Sequence, residues 1–191
     1  MDIEQVCEDF QLAKNFCFLY LVHGVDVRNY DRESRQAFAH SLGEEIRFVT
    51  SEQQNNHLII LGDLNMNPYD RGMNLAPGLN AMMTRECVRR GQRKYQGKQY
   101  DLFYNPMWSL FGDNTSGPAG TIYDTSSQGP YGWNMFDQAL VHYSIVDKFA
   151  NVQILTQAGA TPLLTSKGRP NSLQASDHLP ILLSLKGDNN G

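Results

Sequence analysis

No apolar run in the 191-residue chain is long enough to cross a membrane. The longest, FCFLYLV at 16–22, has the length of a strand, whereas a transmembrane helix needs about 18–20 apolar residues. The first residues, MDIEQVCEDF, lack the basic segment and apolar core of a secretory signal peptide. The sequence therefore predicts no membrane span and favours a cytoplasmic location.

Cysteine and net positive charge are also scarce. The three cysteines, Cys7, Cys17 and Cys87, form no Cys-x-x-Cys pair, which argues against a disulfide framework or a zinc knuckle. With 16 Lys and Arg against 20 Asp and Glu, the formal net charge is −4. This balance argues against a surface that binds nucleic acid everywhere, although a local basic patch can still contact phosphate.

The hydrophobic share of 41% and the length fit one folded domain with its own core. Buried strands are predicted at 16–22 and 58–61, with a helix between them over 31–52 capped by Asp31. A second helix is predicted after Pro77. From about residue 100, short strand-like segments alternate with Gly-, Pro- and Asn-rich loops. The pattern predicts an α/β fold with helices on sheet faces.

Polar side chains suited to phosphate or metal chemistry end, interrupt or precede four of the predicted strands. They are His23, Asp63 with Asn65, Asp137, and Asp177 with His178. Packed sheets gather strand ends at one rim, so we expect these groups to converge. Each also has a purely structural interpretation, since Asp-x-Asn after a strand is commonly a turn.

Hydrolysis of a phosphate ester needs this mixture of groups. A carboxylate can orient or deprotonate water, and a histidine held by a second carboxylate can donate to the phosphate. Hard Mg²⁺ prefers carboxylate and carbonyl oxygens and neutralises charge on the phosphoryl oxygens.

Four motifs resemble those of the endonuclease/exonuclease/phosphatase superfamily. GDLN at 62–65 resembles its G-D-[FL]-N motif, and SDHLPI at 176–181 resembles its closing S-D-H-x-P motif. FDQALV at 136–141 and LVHGVDVRN at 21–29 resemble its strands with an internal Asp and a terminal His. The stretch from YNPMWSLFGD to WNMFDQ is similar to a bacterial subgroup of uncertain substrate. The resemblance implies a DNase I-like fold, a two-sheet β-sandwich flanked by helices in layers α/β/β/α.

The resemblance also implies roles for individual residues in a nuclease or phosphatase reaction. Asp63 would activate the attacking water, and Asn65 would hold that water or a phosphate oxygen. His178, oriented by Asp137, would contact the scissile phosphate. His23 would lie near the phosphate or the leaving group.

A metal ion is implied as well. Asp177 and Asp63 would bind Mg²⁺ or Mn²⁺. Family members normally begin with a strand carrying an Asn, then a helix, then a strand ending in a Gln-Glu pair whose Glu is the main metal ligand. In this chain the His-bearing strand already starts near residue 16, so no segment matches these elements.

The sequence is therefore divided into an extension at 1–15, an incomplete domain at 16–186 and a polar tail at 187–191. The expected activity is that of a metal-dependent phosphoesterase. The resemblance also implies that the isolated chain is inactive, because the family's N-terminal metal-binding Glu is absent, and that a missing N-terminal segment or a partner chain is needed. The alternative is a non-catalytic binding module that retains the fold.

Two segments bear on the substrate, and both have structural alternatives. The segment 85–98 holds six basic residues, among them Arg89 and Arg90, which could contact phosphate or simply form a solvated helix end. The loop 105–134 holds Trp108, Tyr131 and Trp133, which could stack on a base or fill the loop interior. Nucleic acid, inositol phosphate and lipid head groups all remain open as substrates.

Overall fold

The computed structural model describes residues 7–12, 15–53, 57–126 and 130–187. In chain order the strands are β1 (Cys7–Leu12), β2 (Asn15–His23), β3 (Leu58–Asp63), β4 (Ala81–Met82), β5 (Gln92–Tyr95), β6 (Lys98–Asp101), β7 (Phe103–Tyr104), β8 (Ile122–Asp124), β9 (Gly132–Asn134), β10 (Asp137–His142), β11 (Phe149–Ile154), β12 (Gln157–Ala158), β13 (Thr161–Pro162) and β14 (Ile181–Leu185). The α-helices are α1 (Arg32–Gln53), α2 (Arg71–Asn74) and α3 (Arg85–Val88), and Pro106–Ser109 and Tyr143–Lys148 form 3₁₀-helices. Within these ranges no helix combines the length and apolar character needed to cross a membrane.

A six-stranded mixed sheet with the order β1-β2-β3-β10-β7-β4 forms the centre of the fold. Strands β2 and β3 are parallel and joined through α1, while β10 runs antiparallel to β3. The helix begins where predicted, and Ser34 N donates a hydrogen bond to the capping Asp31 Oδ1 at 2.7 Å. Its periodic apolar residues, including Leu42 and Ile46, pack on one face of the sheet.

A second sheet lies over the other face. Strands β11 and β14 pair antiparallel, and their inward residues join a cluster with residues of the central sheet such as Ile59 and Val141. In the described residues, helix α1 packs on one face of the mixed sheet and the two-stranded sheet packs on the other. Each face of the mixed sheet is therefore covered by an apolar layer. The predicted mixed α/β fold with packed sheets is confirmed.

Residues Cys7–Leu12 form a strand where the sequence suggested only an extension. This strand, β1, pairs antiparallel with β2 over six residues, from Cys7 opposite Tyr20 to Leu12 opposite Asn15. The pairing supplies hydrogen-bond partners to an edge of β2 that would otherwise be unpaired. Because β1 contains several polar residues, the pattern of apolar runs did not predict it.

The helix predicted between Pro77 and Gly91 is wrong. Ala81 and Met82 instead form β4 at the edge of the central sheet, and only Arg85–Val88 is helical, capped by Thr84. Asn80 has a φ of 50°, which interrupts a helix immediately before β4. Of the apolar residues at helical spacing here, Leu79 and Val88 are buried, whereas Met83 is 57% exposed. Gly91 does follow the helix, with a φ of 81°.

Candidate functional site

Three neighbouring strands of the central sheet each bring a polar side chain to the same edge. His23 at the end of β2 lies opposite Asp63 at the end of the parallel strand β3. Asp63 in turn lies opposite Asp137 at the start of the antiparallel strand β10. Because parallel strands end where their antiparallel neighbour begins, residues from three distant segments meet at one rim.

His178 joins this group from the segment that precedes β14. Its Nδ1 lies 2.8 Å from Asp137 Oδ2, and its Nε2 lies 4.0 Å from Asp63 Oδ2. A carboxylate only accepts hydrogen bonds, so the Nδ1 proton is donated to Asp137 and Nε2 faces Asp63. His23 Nε2 lies 3.8 Å from the same Asp63 oxygen, but its side chain is 82% exposed.

The turn after β3 fixes the orientation of Asp63. Asn65 donates to both carboxylate oxygens, from its backbone N to Oδ1 at 2.8 Å and from Nδ2 to Oδ2 at 3.1 Å. Asn65 Nδ2 also donates to the Gly24 carbonyl at 3.2 Å, and Arg35 Nη1 donates to the Asn65 carbonyl at 3.1 Å. The Asn65 amide nitrogen is therefore committed to holding Asp63.

The pKa values of the two central groups are both raised, for different reasons. The hydrogen bond to Asp137 is the main cause that raises the pKa of His178, with the charges of Asp137, Asp63 and Asp177 adding to it and burial opposing it. Burial is the main cause that raises the pKa of Asp63, opposed by the backbone hydrogen bond from Asn65. The site thus favours a protonated imidazole beside a carboxyl group that is costly to ionise.

Thr121 is a positioning residue that the motifs did not indicate. It is fully buried, and its Oγ1 accepts hydrogen bonds from the backbone N of Phe136 at 3.2 Å and of Asp137 at 3.1 Å. Its carbonyl accepts from Leu179 N at 2.8 Å. Thr121 therefore links the segments that carry Asp137 and His178. A single threonine with partners 15 and 16 residues away gives no local sequence signal.

The sequence motifs also gave no indication of a buried network of amide side chains near the rim. Asn67 Nδ2 donates to Asn134 Oδ1 at 2.8 Å, and Asn67 Oδ1 accepts from Met135 N at 2.9 Å. Asn105 Nδ2 donates to Gln138 Oε1 at 2.7 Å, and Gln138 Nε2 donates to the Met135 carbonyl at 2.9 Å. Buried, satisfied amides of this kind fix the loops around a site. Asn67, the second Asn of the stretch LNMN at 64–67, is the sequence feature that could have indicated this network.

An open cavity of about 440 Å³ contains the rim. It is lined by residues of five segments: His23, Asp26, Val27, Arg28, Asn29, Asp63, Asn65, Ile122, Tyr123, Asp124, Thr125, Phe136, Asp177 and His178. Five of the six residues predicted for the catalytic and metal site line this cavity. The sixth, Asp137, contacts His178, which does line it.

The loop after His23 contributes a cation to the cavity wall. Asp26 Oδ1 accepts from the backbone N of Arg28 at 2.7 Å and of Asn29 at 2.9 Å, and its Oδ2 accepts from Asn29 Nδ2 at 2.8 Å. This Asx turn presents Arg28 and Asn29 at the cavity. Arg28 is a candidate phosphate ligand that the sequence motifs did not single out.

The carboxylates of the cavity bear on whether a divalent cation can bind there. No group of three His, Cys, Asp or Glu side chains in the described part of the chain could hold a metal ion together. Asp63 and Asp177 do open into the same cavity. Mg²⁺ is commonly held by one or two carboxylates together with substrate phosphates and water. The residues therefore fit an ion that binds along with a phosphate, and they do not form a preformed cage.

The basic segment and the large aromatic residues lie outside the cavity wall. Arg89 pairs with Asp147 at 2.7 Å, and neither it nor Arg90 is among the cavity residues. Arg93 Nη2 donates to the Asn74 carbonyl at 2.5 Å. Trp133 does not line the cavity either, but it contacts Tyr123, which does.

A helix does end within the segment 85–98, because α3 stops at Val88 and Arg89 is its C-cap. Most of the segment is the β5–β6 hairpin after the four-residue helix α3. Of the other aromatics in the long loop, Trp108 lies in a 3₁₀-helix and Phe111 packs against Tyr69, with ring centroids 5.7 Å apart.

Comparison with solved structures identifies the fold. The chain matches truncated Caenorhabditis elegans TDP2 with a TM-score of 0.53 and 16% identity, over 98% of this chain and 66% of that one. It also resembles an endonuclease/exonuclease/phosphatase family protein from Bacteroides thetaiotaomicron (TM-score 0.48, 14% identity, 89% of this chain and 48% of that one). A third similar structure is D. rerio TDP2 complexed with single strand DNA product (TM-score 0.47, 13% identity, 97% and 67%).

The chain spans about half to two thirds of the length of these proteins. No family model matches the sequence, and no curated protein does. At these identities the similarity is one of fold.

Proposed function

We propose that this chain, which has the fold of the endonuclease/exonuclease/phosphatase superfamily, is a phosphoesterase whose reaction takes place at the rim of His178, Asp137 and Asp63. The observation that carries the proposal is the convergence of these side chains from separate segments, with His178 Nε2 4.0 Å from Asp63 Oδ2. That separation exceeds a hydrogen bond and lets both groups contact the same water or phosphate oxygen.

In the proposed reaction, the His178 imidazolium donates a proton from Nε2 in a hydrogen bond to a phosphate oxygen. Asp137 accepts from Nδ1 and thereby fixes the ring and its charge. Charge that develops on the phosphoryl oxygens is stabilised by this preoriented donor. Arg28 at the cavity wall supplies a second positive charge.

Asp63 acts on the attacking water. Asn65 holds both oxygens of its carboxylate, so the free lone pairs point in a fixed direction. Burial raises the pKa of Asp63 and so makes its carboxylate a stronger base than an exposed one. His23, which lines the cavity with an exposed side chain, would act near the leaving group.

A divalent cation, Mg²⁺ or Mn²⁺, is proposed as the cofactor. Asp63 and Asp177 are the carboxylates that would hold it, and it would neutralise charge on the phosphate. With two carboxylates as the proposed protein ligands, we expect weak binding, so activity should rise with Mg²⁺ over a wide concentration range.

The test is hydrolysis of bis-p-nitrophenyl phosphate by the purified chain during a Mg²⁺ titration. Wild type should turn over, and Asp63→Asn and His178→Asn should each lower kcat/KM by roughly 10²- to 10⁴-fold, the usual contribution of an acid or base. His40→Asn, on the exposed face of α1 and outside the cavity, is the matched control and should keep the wild-type rate.

Absence of turnover at every Mg²⁺ concentration, or a His178→Asn variant as fast as wild type, would contradict the proposal. Absence of turnover together with retained ligand binding would favour a non-catalytic binding module. That second candidate is supported by the lack of a three-ligand metal cluster in the described residues.

A further inference from the structure

The hairpin of β8 and β9 carries an aromatic face, defined here as Tyr123, Tyr131 and Trp133. Tyr123 lies opposite Trp133 in the strand register, with ring centroids 5.3 Å apart and planes at 86°. Tyr131 lies immediately before β9, and its ring centroid is 6.5 Å from that of Tyr123. These rings belong to none of the buried clusters formed by the described residues.

The exposure of Tyr131 distinguishes this face from a small core. Its side chain is 72% exposed. Tyr123, which is partly buried, contacts both Tyr131 and the partly buried Trp133. An aromatic ring held in place by other rings, yet open to water, loses little conformational freedom when a flat ligand stacks on it.

The aromatic face adjoins the proposed reaction site. Ile122, the residue before Tyr123, forms a backbone bridge with His178. Tyr123 itself lines the same cavity as Asp63 and His178. The aromatic face therefore continues from the cavity wall at Tyr123.

A loop that carries Lys167 and Arg169 lies against Tyr123 of the aromatic face. The Arg169 guanidinium lies 4.0 Å from the centre of the Tyr123 ring, and its Nη2 donates to the Tyr123 hydroxyl at 3.0 Å. Thr165 closes the loop, donating from N to the Arg169 carbonyl at 2.8 Å and accepting from Gly168 N at 2.9 Å. Lys167 lies exposed within it. Arg169 thus lies against the rings, and Lys167 lies two residues before it in the same loop, in a chain of net charge −4.

We infer that the aromatic face is a base-stacking subsite for single-stranded nucleic acid, with Arg169 and Lys167 contacting the neighbouring phosphates. The inference rests on the proposed phosphoesterase site, and it selects among the phosphate esters that site could accept. A nucleotide strand offers a flat ring beside the scissile phosphate and a further phosphate beyond it. An inositol phosphate or a lipid head group has no aromatic ring to stack on Tyr131.

The test compares binding of two fluorescently end-labelled strands of equal length and charge, one of thymidylate and one of abasic deoxyribose phosphate. Anisotropy is measured without divalent cations, so that no strand is cleaved. Tyr131→Ala should weaken thymidylate binding roughly 10-fold and leave abasic binding unchanged, because only the base stacks. Phe48→Ala, which removes a 66% exposed aromatic ring from α1, should change neither.

The cationic loop has its own readout. Arg169→Gln and Lys167→Gln should each reduce the dependence of log Kd on log salt by about one phosphate contact for both strands. If both variants kept the wild-type dependence of log Kd on log salt, the loop would not contact phosphate and would not be part of the subsite.

Two results would overturn the inference: equal affinity of wild type for both strands, or thymidylate affinity unaffected by Tyr131→Ala. The outcome is separable from that of the hydrolysis assay. Tyr131-dependent binding without hydrolysis supports the subsite and contradicts the proposed reaction, whereas hydrolysis without base-dependent binding supports the reaction and contradicts the subsite.

Discussion

At the scale of single residues, the charge state of His178 depends on one hydrogen bond. Asp137 Oδ2 lies 2.8 Å from His178 Nδ1, and this contact is the largest influence that raises the pKa of the imidazole. Because the folded protein holds the proton more tightly than the unfolded chain, the resulting stability is complete below the unfolded pKa of histidine. It is lost as the pH rises through the higher folded pKa.

Asp137→Asn should therefore lower the pKa of His178 toward the ordinary value of histidine. The measurement is an NMR titration of the imidazole signals, with His178→Gln used to assign the resonance. In parallel, chemical unfolding should show that wild type loses free energy of unfolding over the pH window between the two pKa values and that Asp137→Asn loses less. An unchanged titration in Asp137→Asn would show that the carboxylate does not control the charge of the ring.

Sequence motifs identified the charged residues of the site but not the groups that hold them. Asp63, Asp137 and His178 each stand in a recognisable local pattern of strand and turn. Thr121 and Gln138 act through buried hydrogen bonds to segments distant in sequence, which no local pattern reveals. The catalytic roles of the motif residues remain a proposal.

At the scale of elements, the close approach of β2 and β3 builds the rim. Gly62 has a φ of 142°, and a Cβ there would collide with the Val22 carbonyl of the neighbouring strand. Only glycine allows this backbone path immediately before Asp63. The arrangement of Asp63 relative to His23 therefore depends on a residue without a side chain.

Gly62→Ala should destabilise the protein by about 3 kcal/mol or more, since it combines a backbone collision with a strained φ. Gly97→Ala is the matched control, because Gly97 has a φ of 82° but open space around its Cβ, and it should cost about 1–2 kcal/mol. Urea unfolding of both variants measures the difference. Equal losses would mean that β2 and β3 can separate at the rim without cost.

The elements also differ in how readily the sequence predicts them. Helix α1 has regularly spaced apolar residues and an Asp cap, so its start was predicted within one residue. The region after Pro77 has similar spacing, but there the apolar side chains are buried by β4 at the sheet edge and by α3. Tertiary pairing of β4 with β7, which the local pattern does not contain, decided the outcome.

At the scale of the whole molecule, two sheets meet over one core, and the site lies where both contribute. The central sheet supplies Asp63 and Asp137, and the segment leading into β14 of the second sheet supplies Asp177 and His178. The described residues give the second sheet two strands, and Leu182 in β14 is 47% exposed. The chain spans 66% of truncated Caenorhabditis elegans TDP2.

The central claim is that His178, held by Asp137, acts on a phosphate ester at this rim. It is tested most directly by kcat/KM for phosphodiester hydrolysis in Asp137→Asn, His178→Asn and the double variant. Because Asp137 acts through His178, we predict that each single change lowers kcat/KM and that the double variant is no slower than His178→Asn. Losses that multiply in the double variant, or single variants that match wild type, would contradict the account.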